Sequence, residues 1–276
     1  MDHVSQFPPP SVTPSTSGSA SFPALPPELY GEIFQQLDHA NLLAILRTSR
    51  ALRAEALPLY FNHLTVQDNW RNPIGRFVPI CTSYAGRFVT TLSLSNLNNS
   101  NPHVLPILQS VPNLTTLKLD WRNSRLGISL TQFLPSNPPF RLQDLSVRYK
   151  LDSTLRAFVL TQAPSLVRLA IHPTYKVWVP DPEVLDMEIP CLRLLATDSA
   201  RIGATLAKWS STLRCVMMSD QWTRLEFVAS GVRALNVSYA KSWPKDAAEA
   251  FPNLEYLQFG VEVSPPACST CLCDLY

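Results

Sequence analysis

The chain has 276 residues, with 23 Lys+Arg against 21 Asp+Glu, so its formal net charge is only +2. So small a charge sets up no overall field to draw a polyanion, and generic nucleic-acid binding loses its electrostatic warrant. Only 8 glycines stand against 25 prolines; they are isolated, and no GxGxxG or GxxxxGK[ST] phosphate loop exists.

No uncharged apolar stretch approaches the ~18 residues of a membrane span. The start, Met1 to Pro10, lacks a basic region followed by an apolar run, so it does not read as a secretory signal. The expected setting is cytoplasmic, nuclear or both, with no membrane partner. The six cysteines are then expected as free thiols rather than a disulfide framework.

Residues 1–24 are rich in Pro, Ser and Thr and nearly uncharged. Such a segment buries too little apolar area to offset ordering entropy, so a disordered tail is expected.

Residues 25–64 carry dense helix signals. Pro26 and Pro27 sit where the first turn of a helix tolerates proline, and Glu28 complements the dipole. Leu29, Ile33 and Leu37 recur at four-residue spacing as one apolar stripe. Asp38 to Asn41 breaks it, and Asn41 is expected to cap a second helix through Leu42, Leu43, Ile45 and Leu46. Ser49 is expected to cap a third, carrying Leu52, Ala56 and Leu57, with Pro58 helping to end it. Three such short helices must pack together or on a partner.

Leu25-Pro26-Pro27-Glu28-Leu29, then Ile33, Leu37, Leu42-Leu43, Ser49-Arg50-Ala51-Leu52-Arg53 and Leu57 resemble an F-box. The stretch Ser49 to Tyr60 is similar to the F-boxes of fungal proteins in particular. Where that family often has tryptophan after its Ser-Arg element, this chain has Leu52-Arg53-Ala54. The resemblance implies binding to the Skp adaptor and, through it, to a cullin. Leu25, Pro26, Leu29, Ile33, Leu37, Leu42, Leu43 and Leu52 are the residues expected to make or support that contact. The alternative is a small helical cap closing a repeat domain.

Residues 65–88 read as a connector, with a helix from Phe77 to Tyr84 expected to dock the three helices to the downstream segment. From 89 to 263 the chain repeats. A Leu-x-x-Leu-x-Leu-like element recurs eight times, beginning at Val89, Leu114, Leu142, Leu166, Leu192, Leu213, Val232 and Leu254. Pro112-Asn113, Pro164-Ser165, Pro190-Cys191 and Pro252-Asn253 precede four of them; proline ends the preceding segment and lets a strand begin. Helix-compatible stretches lie between, at His103 to Ser110, Leu151 to Gln162 and Lys245 to Ala250.

These elements resemble leucine-rich repeats, whose period is about 20–29 residues. The asparagine that commonly follows the strand in that family is missing from most repeats, and Asn123 is the nearest candidate. The expected fold is therefore α/β: a three-helix F-box followed by an irregular leucine-rich-repeat solenoid, parallel strands on its concave face and helices or loops on its convex face. An F-box followed by such repeats implies a substrate receptor of a ubiquitin ligase. The competing reading is a non-catalytic repeat scaffold whose helices only cap the solenoid.

Alternate strand residues point in opposite directions, so the positions between the repeated leucines are expected to line the concave face. Lys118, Arg148, Arg168 and His172 fall there, as do Leu194, Met217 and Tyr256. Trp121, Tyr149 and Tyr239 follow their strands and are expected to anchor a target, since aromatic residues dominate interface energetics. Charge is mixed in the first half of this face, and the later part is apolar or small around Leu194, Ala196, Cys215, Met217 and Ala234. A target protein is expected to dock there.

No histidine lies in HExxH and no Gly-x-Ser-x-Gly elbow exists, so no catalytic constellation, cofactor or metal is expected. Residues 264–276 hold Cys268, Cys271 and Cys273 without a fourth ligand nearby, and an unliganded tail is expected. The array has no obvious polar terminal cap after Phe259 and reads as a shortened version of a longer receptor.

Overall fold

A computed structural model of the chain describes residues 26–68, 73–97, 101–121, 132–149, 152–172, 187–197, 211–218, 228–238 and 247–260. The proposed tails at 1–24 and 264–276 lie outside these residues.

Three helices come first: α1 (Pro27–Gln35), α2 (His39–Leu46) and α3 (Arg50–Asn62). Helix α1 follows Pro26 at its N-cap and opens on Pro27, at the first helical position, where proline's fixed φ is pre-set for the helix. The cap of α2 is Asp38, whose carboxylate accepts from the Asn41 N–H at 2.8 Å; Asn41 itself sits inside the helix. Asp38 is favoured because its carboxylate also meets the positive end of the helix dipole. Ser49 caps α3 by accepting from the Leu52 N–H at 3.2 Å.

Pro58 does not end α3, which runs on to Asn62. A proline inside a helix costs about 3 kcal/mol, and here the packed residues after it hold the last turn. Leu59 and Tyr60 pack on the cluster of the three helices, and Phe61 packs on the core beneath the sheet.

The described residues after them build one nine-stranded parallel sheet in strict sequence order, β1 (His63–Gln67), β2 (Thr91–Ser95), β3 (Thr116–Asp120), β4 (Asp144–Arg148), β5 (Arg168–Ile171), β6 (Leu194–Thr197), β7 (Cys215–Met218), β8 (Ala234–Ser238) and β9 (Tyr256–Gly260). All eight repeated elements form strands. The additional strand, β1, follows α3 without a linker, so His63 and Leu64 belong to the sheet rather than to the helices. Its His-Leu-Thr-Val-Gln alternation was hidden by its position directly after a helix.

Register aligns the repeats into rows. Leu64, Leu92, Leu117, Leu145, Leu169, Leu195, Val216, Leu235 and Leu257 stand side by side. A second row two residues on runs Val66, Leu94, Leu119, Val147, Ile171, Thr197, Met218, Val237. The buried leucines that begin the elements, among them Leu114, Leu142, Leu166, Leu192 and Leu213, complete a single core along the array.

The proline pairs acquire a specific role. Pro112, Pro190 and Pro252 occupy the second position of tight turns closed by Leu114 N–H to Val111, Leu192 N–H to Ile189 and Leu254 N–H to Phe251, the place where proline's fixed φ is pre-set for a turn. The next residue then reaches back one repeat. Asn113 Nδ2 donates to the Arg87 carbonyl at 2.7 Å, Cys191 Sγ to the Pro164 carbonyl at 3.2 Å and Asn253 Nδ2 to the Ser230 carbonyl at 2.8 Å.

Between the strands lie α4 (Val78–Thr82), α5 (Val104–Gln109), α6 (Ser153–Gln162) and α7 (Ala247–Ala250). Two 3-10 turns, Ile74–Phe77 and Tyr84–Phe88, flank α4. Gly86 is buried where these pieces meet; a Cβ there would overlap the Cys81 carbonyl and lie 2.8 Å from the Ser110 carbonyl oxygen. Among the described residues no helix is long and apolar enough to cross a membrane.

Two substitutions test this packing. Leu145→Ala empties a fully buried position at the centre of the leucine row and is expected to lower unfolding free energy by about 3 kcal/mol. Gly86→Ala forces backbone apart and is expected to cost about 2–3 kcal/mol. Urea denaturation of the two variants beside the parent chain measures both.

Candidate functional site

Two surfaces carry chemistry that the folded core does not consume. The first is on the helices. Phe34, Leu42 and Ala56 form their buried centre, with Tyr30, Leu37, Ile45, Leu46, Leu52, Leu59 and Tyr60 packed against it. The core-facing stripe is therefore Tyr30 and Phe34 on α1, continued by Leu37 just beyond it, rather than the Leu29–Ile33–Leu37 stripe read from spacing. The rings of Tyr30 and Phe34 stack at 5.8 Å; their four-residue separation was the available signal, since it marks a second apolar face on the same helix.

This sorts the eight residues proposed for the adaptor. Leu42 is fully committed to the helical core, so it supports the surface instead of forming it. Leu37 and Leu52 pack on that core and are half-buried, and Leu43 is half-buried outside the cluster. Pro26 is exposed at the start of α1. Leu29 and Ile33 stand out in solvent, 40% and 42% exposed. Leu25 lies outside the described residues.

The second surface is the face of the sheet opposite the core. Strand alternation leaves Lys118 exposed between buried Leu117 and Leu119, and Ser146 half-buried between Leu145 and Val147. Along the register one row reads Ser93, Lys118, Ser146, Ala170, Ala196, Met217, Asn236, Gln258. The neighbouring row reads Thr91, Thr116, Asp144, Arg168, Leu194, Cys215, Ala234, Tyr256. Lys118, Arg148, Arg168, Leu194, Met217 and Tyr256 therefore share this face, and His172 follows β5 with its N–H donated to the Val147 carbonyl at 2.9 Å.

Asp120 and Asp144 on this face each meet an arginine of the next strand. Arg148 meets Asp120 at 3.7 Å and Arg168 meets Asp144 at 4.0 Å, each pair bridging adjacent strands. Such half-exposed pairs contribute little stability, about 0–1 kcal/mol, but they fix where the guanidinium groups sit. Burial raises the Asp144 carboxyl above its ordinary value of 3.8, against the opposing pull of Arg168 and Lys118. Farther along, Asn236 Nδ2 donates to Gln258 Oε1 at 2.9 Å.

Trp121 and Tyr149 are not anchors for a partner. Both are buried in the core, their rings in edge contact at 5.6 Å, with Phe133 6.2 Å from Trp121. Each stands one residue past a strand whose inward positions are odd-numbered, so alternation turns it toward the core with Leu119 and Val147. Burial, aided by the negative charge of Asp152, pushes the Tyr149 phenol up to about 12. Tyr239 lies outside the described residues.

Comparisons with known families and with curated proteins return no match to this chain.

Sequence reasoning missed one polar centre. Asn96, directly after β2, takes a left-handed backbone (φ 60°), which asparagine tolerates better than most residues. Its side chain donates to the Asp68 carbonyl at 2.6 Å. Buried Asn101 donates to the Asp68 carboxylate at 2.8 Å, and that carboxylate also accepts the Ile74 N–H at 3.2 Å. These bonds tie the β1 and β2 ends to the connector, a structural role. Among the described residues no three metal-ligating side chains converge.

Two measurements probe these groups. Because the folded-state pKa of Asp144 is raised, its ionised form costs stability at neutral pH, and that cost vanishes as pH falls below 3.8. Asp144→Asn is expected to raise the melting temperature at neutral pH and to match the parent chain in acid. Thiols divide equally clearly: Cys191 is exposed, whereas burial pushes the Cys81 thiol up to about 11. Alkylation of the folded chain followed by peptide mapping is expected to mark Cys191 and to reach Cys81 only after denaturation.

Proposed function

We propose that this chain is the substrate-recognition subunit of a Skp–cullin–F-box ubiquitin ligase. Its helices hold the adaptor and its sheet, read as an irregular leucine-rich-repeat array, presents a target protein. The single observation that carries this reading is the pair Leu29 and Ile33, one turn apart on α1 and exposed although the helices possess a core of their own. Large apolar side chains paired on an exposed helix face fit insertion into a partner's groove, and they fall within the residues that resemble an F-box.

The chain itself transfers nothing in this mechanism. It raises the effective concentration of a target lysine near a charged conjugating enzyme, and that gain is proximity. A scaffold of strands locked in register by a continuous core suits the task, because a flexible one loses orientation.

One observation favours a second reading, in which the helices only close the end of the array. Helix α3 passes into β1 without a linker, and Phe61 packs on the sheet's core. The two readings differ in what they need from Leu29 and Ile33.

Purified chain and Skp adaptor decide between them in a direct pull-down. The receptor reading expects binding by the parent chain and at least a tenfold loss with Leu29→Asp plus Ile33→Asp. The same loss is expected with Pro26→Ala plus Ile33→Asp. Both α1 sites are exposed, so helicity and melting temperature are expected to stay near those of the parent. Absence of binding by the parent chain would establish the capping reading instead.

A further inference from the structure

The residue just before each strand forms a row along the N-terminal edge of the parallel sheet. From β2 to β9 it reads Thr90, Thr115, Gln143, Val167, Arg193, Arg214, Arg233, Glu255. Backbone bonds lock the neighbours together: Arg214 N–H donates to Arg193 O at 2.8 Å, and Arg233 N–H to Arg214 O at 2.9 Å. Three arginines therefore stack at the strand spacing of about 4.8 Å.

Like charges at that spacing repel, and folding alone gives no reason to place them together. On this row the only acidic side chain is Glu255, which pairs with Arg233 at the far end. Arg214 is half-buried and uses one nitrogen on the Gly231 carbonyl at 3.1 Å. Arg193 is exposed. Directly above the row, toward the middle of the face, are the half-buried apolar side chains Leu194, Ala196, Met217 and Ala234. Among the described residues this strip holds no charge, so the basic row has an uncharged shelf beside it.

We propose that this edge binds an extended acidic segment of a protein partner, lying across β6, β7 and β8. In an extended chain, alternate side chains are about 7 Å apart and point to opposite sides. Two carboxylates about 7 Å apart on one side fit within the roughly 9.6 Å that Arg193, Arg214 and Arg233 span, where charge-assisted bonds from the planar guanidinium are strong. Apolar side chains on the other side rest on Leu194, Ala196 and Met217. The acidic charge relieves the repulsion within the row, which supplies affinity and a preference for acidic sequences. The inference deepens the reading of this face as the target surface and does not depend on the helices holding an adaptor.

The test is a fluorescence titration of the full chain with a labelled peptide of alternating glutamate and valine. Two controls accompany it: the lysine–valine counterpart and a single-stranded oligonucleotide of equal charge. Saturable binding of the acidic peptide is expected, weakening with salt, with at least tenfold weaker binding of both controls. Arg193→Glu, at an exposed position, is expected to cut affinity at least tenfold with an unchanged melting temperature. Glu255→Gln frees Arg233 from its internal partner and is expected to tighten binding about threefold. No acidic-peptide binding, equal binding of the lysine peptide, equal binding of the oligonucleotide, or indifference to Arg193→Glu overturns the proposal. Adaptor binding is read in a separate assay, so either result stands alone.

Discussion

A parallel strand satisfies its backbone only between two neighbours, and that constraint organises this molecule from end to end. Each repeat supplies four or five residues of strand and one inward leucine or valine, followed two residues on by a second inward side chain, apolar everywhere but Thr197. Neither is worth much singly. Stacked in register, the Leu92–Leu117–Leu145–Leu169–Leu195 row is fully buried, and a buried leucine is worth about 1.5–3 kcal/mol over an exposed one. Leu257 shows the converse. It occupies the same row on β9, with a described neighbour on one side only, and is 40% exposed. The stability of the array is thus a property of neighbours, as in other repeat architectures.

The same constraint explains how the helices join the sheet. β1 begins where α3 ends, so the first strand is laid down by a helix rather than by a preceding repeat. Pro58 would end an isolated helix, yet Phe61 lies beyond it and belongs to the sheet's core. Packing of Leu59, Tyr60 and Phe61 secures the last turn, and the strand starts at His63, two residues past that ring. Asp68 then gathers Asn96, Asn101 and the Ile74 N–H around the strand ends, and Gly86 permits the close approach of the connector to Ser110. These polar and steric details hold the irregular region that the leucine pattern does not reach.

Function, on the proposed reading, occupies what this packing leaves over. Inward positions are committed to the core and cannot vary in chemistry without cost. Outward positions on the sheet are free to differ from strand to strand. They do so in blocks: cross-strand ion pairs on β3 to β5, mostly apolar and uncharged residues on β6 to β8, and an arginine row at the strand starts. The helices leave a comparable remainder, since Phe34 and Leu42 fill their centre and Leu29 and Ile33 stay in solvent.

Much of the fold was legible because its signals are local. Leucine or another aliphatic residue at fixed offsets marks each strand from β2 to β9, in four cases with proline two residues ahead, and Ser49 marks the start of α3. The pairing of like residues on one outer face followed from two-residue alternation. What the sequence alone determined, then, is the repeat, its period and which strand positions face out. Only the tertiary structure decided that alternation continues one residue past β3 and β4, placing Trp121 and Tyr149 in the core, and which of the two apolar stripes of α1 is buried, choosing Tyr30 and Phe34 over Leu29 and Ile33. Arg193, Arg214 and Arg233, 21 and 19 residues apart, hold the same place in successive repeats, and pairing of the strands turned that shared place into a row. Each local pattern allowed more than one outcome, and packing against distant segments selected one.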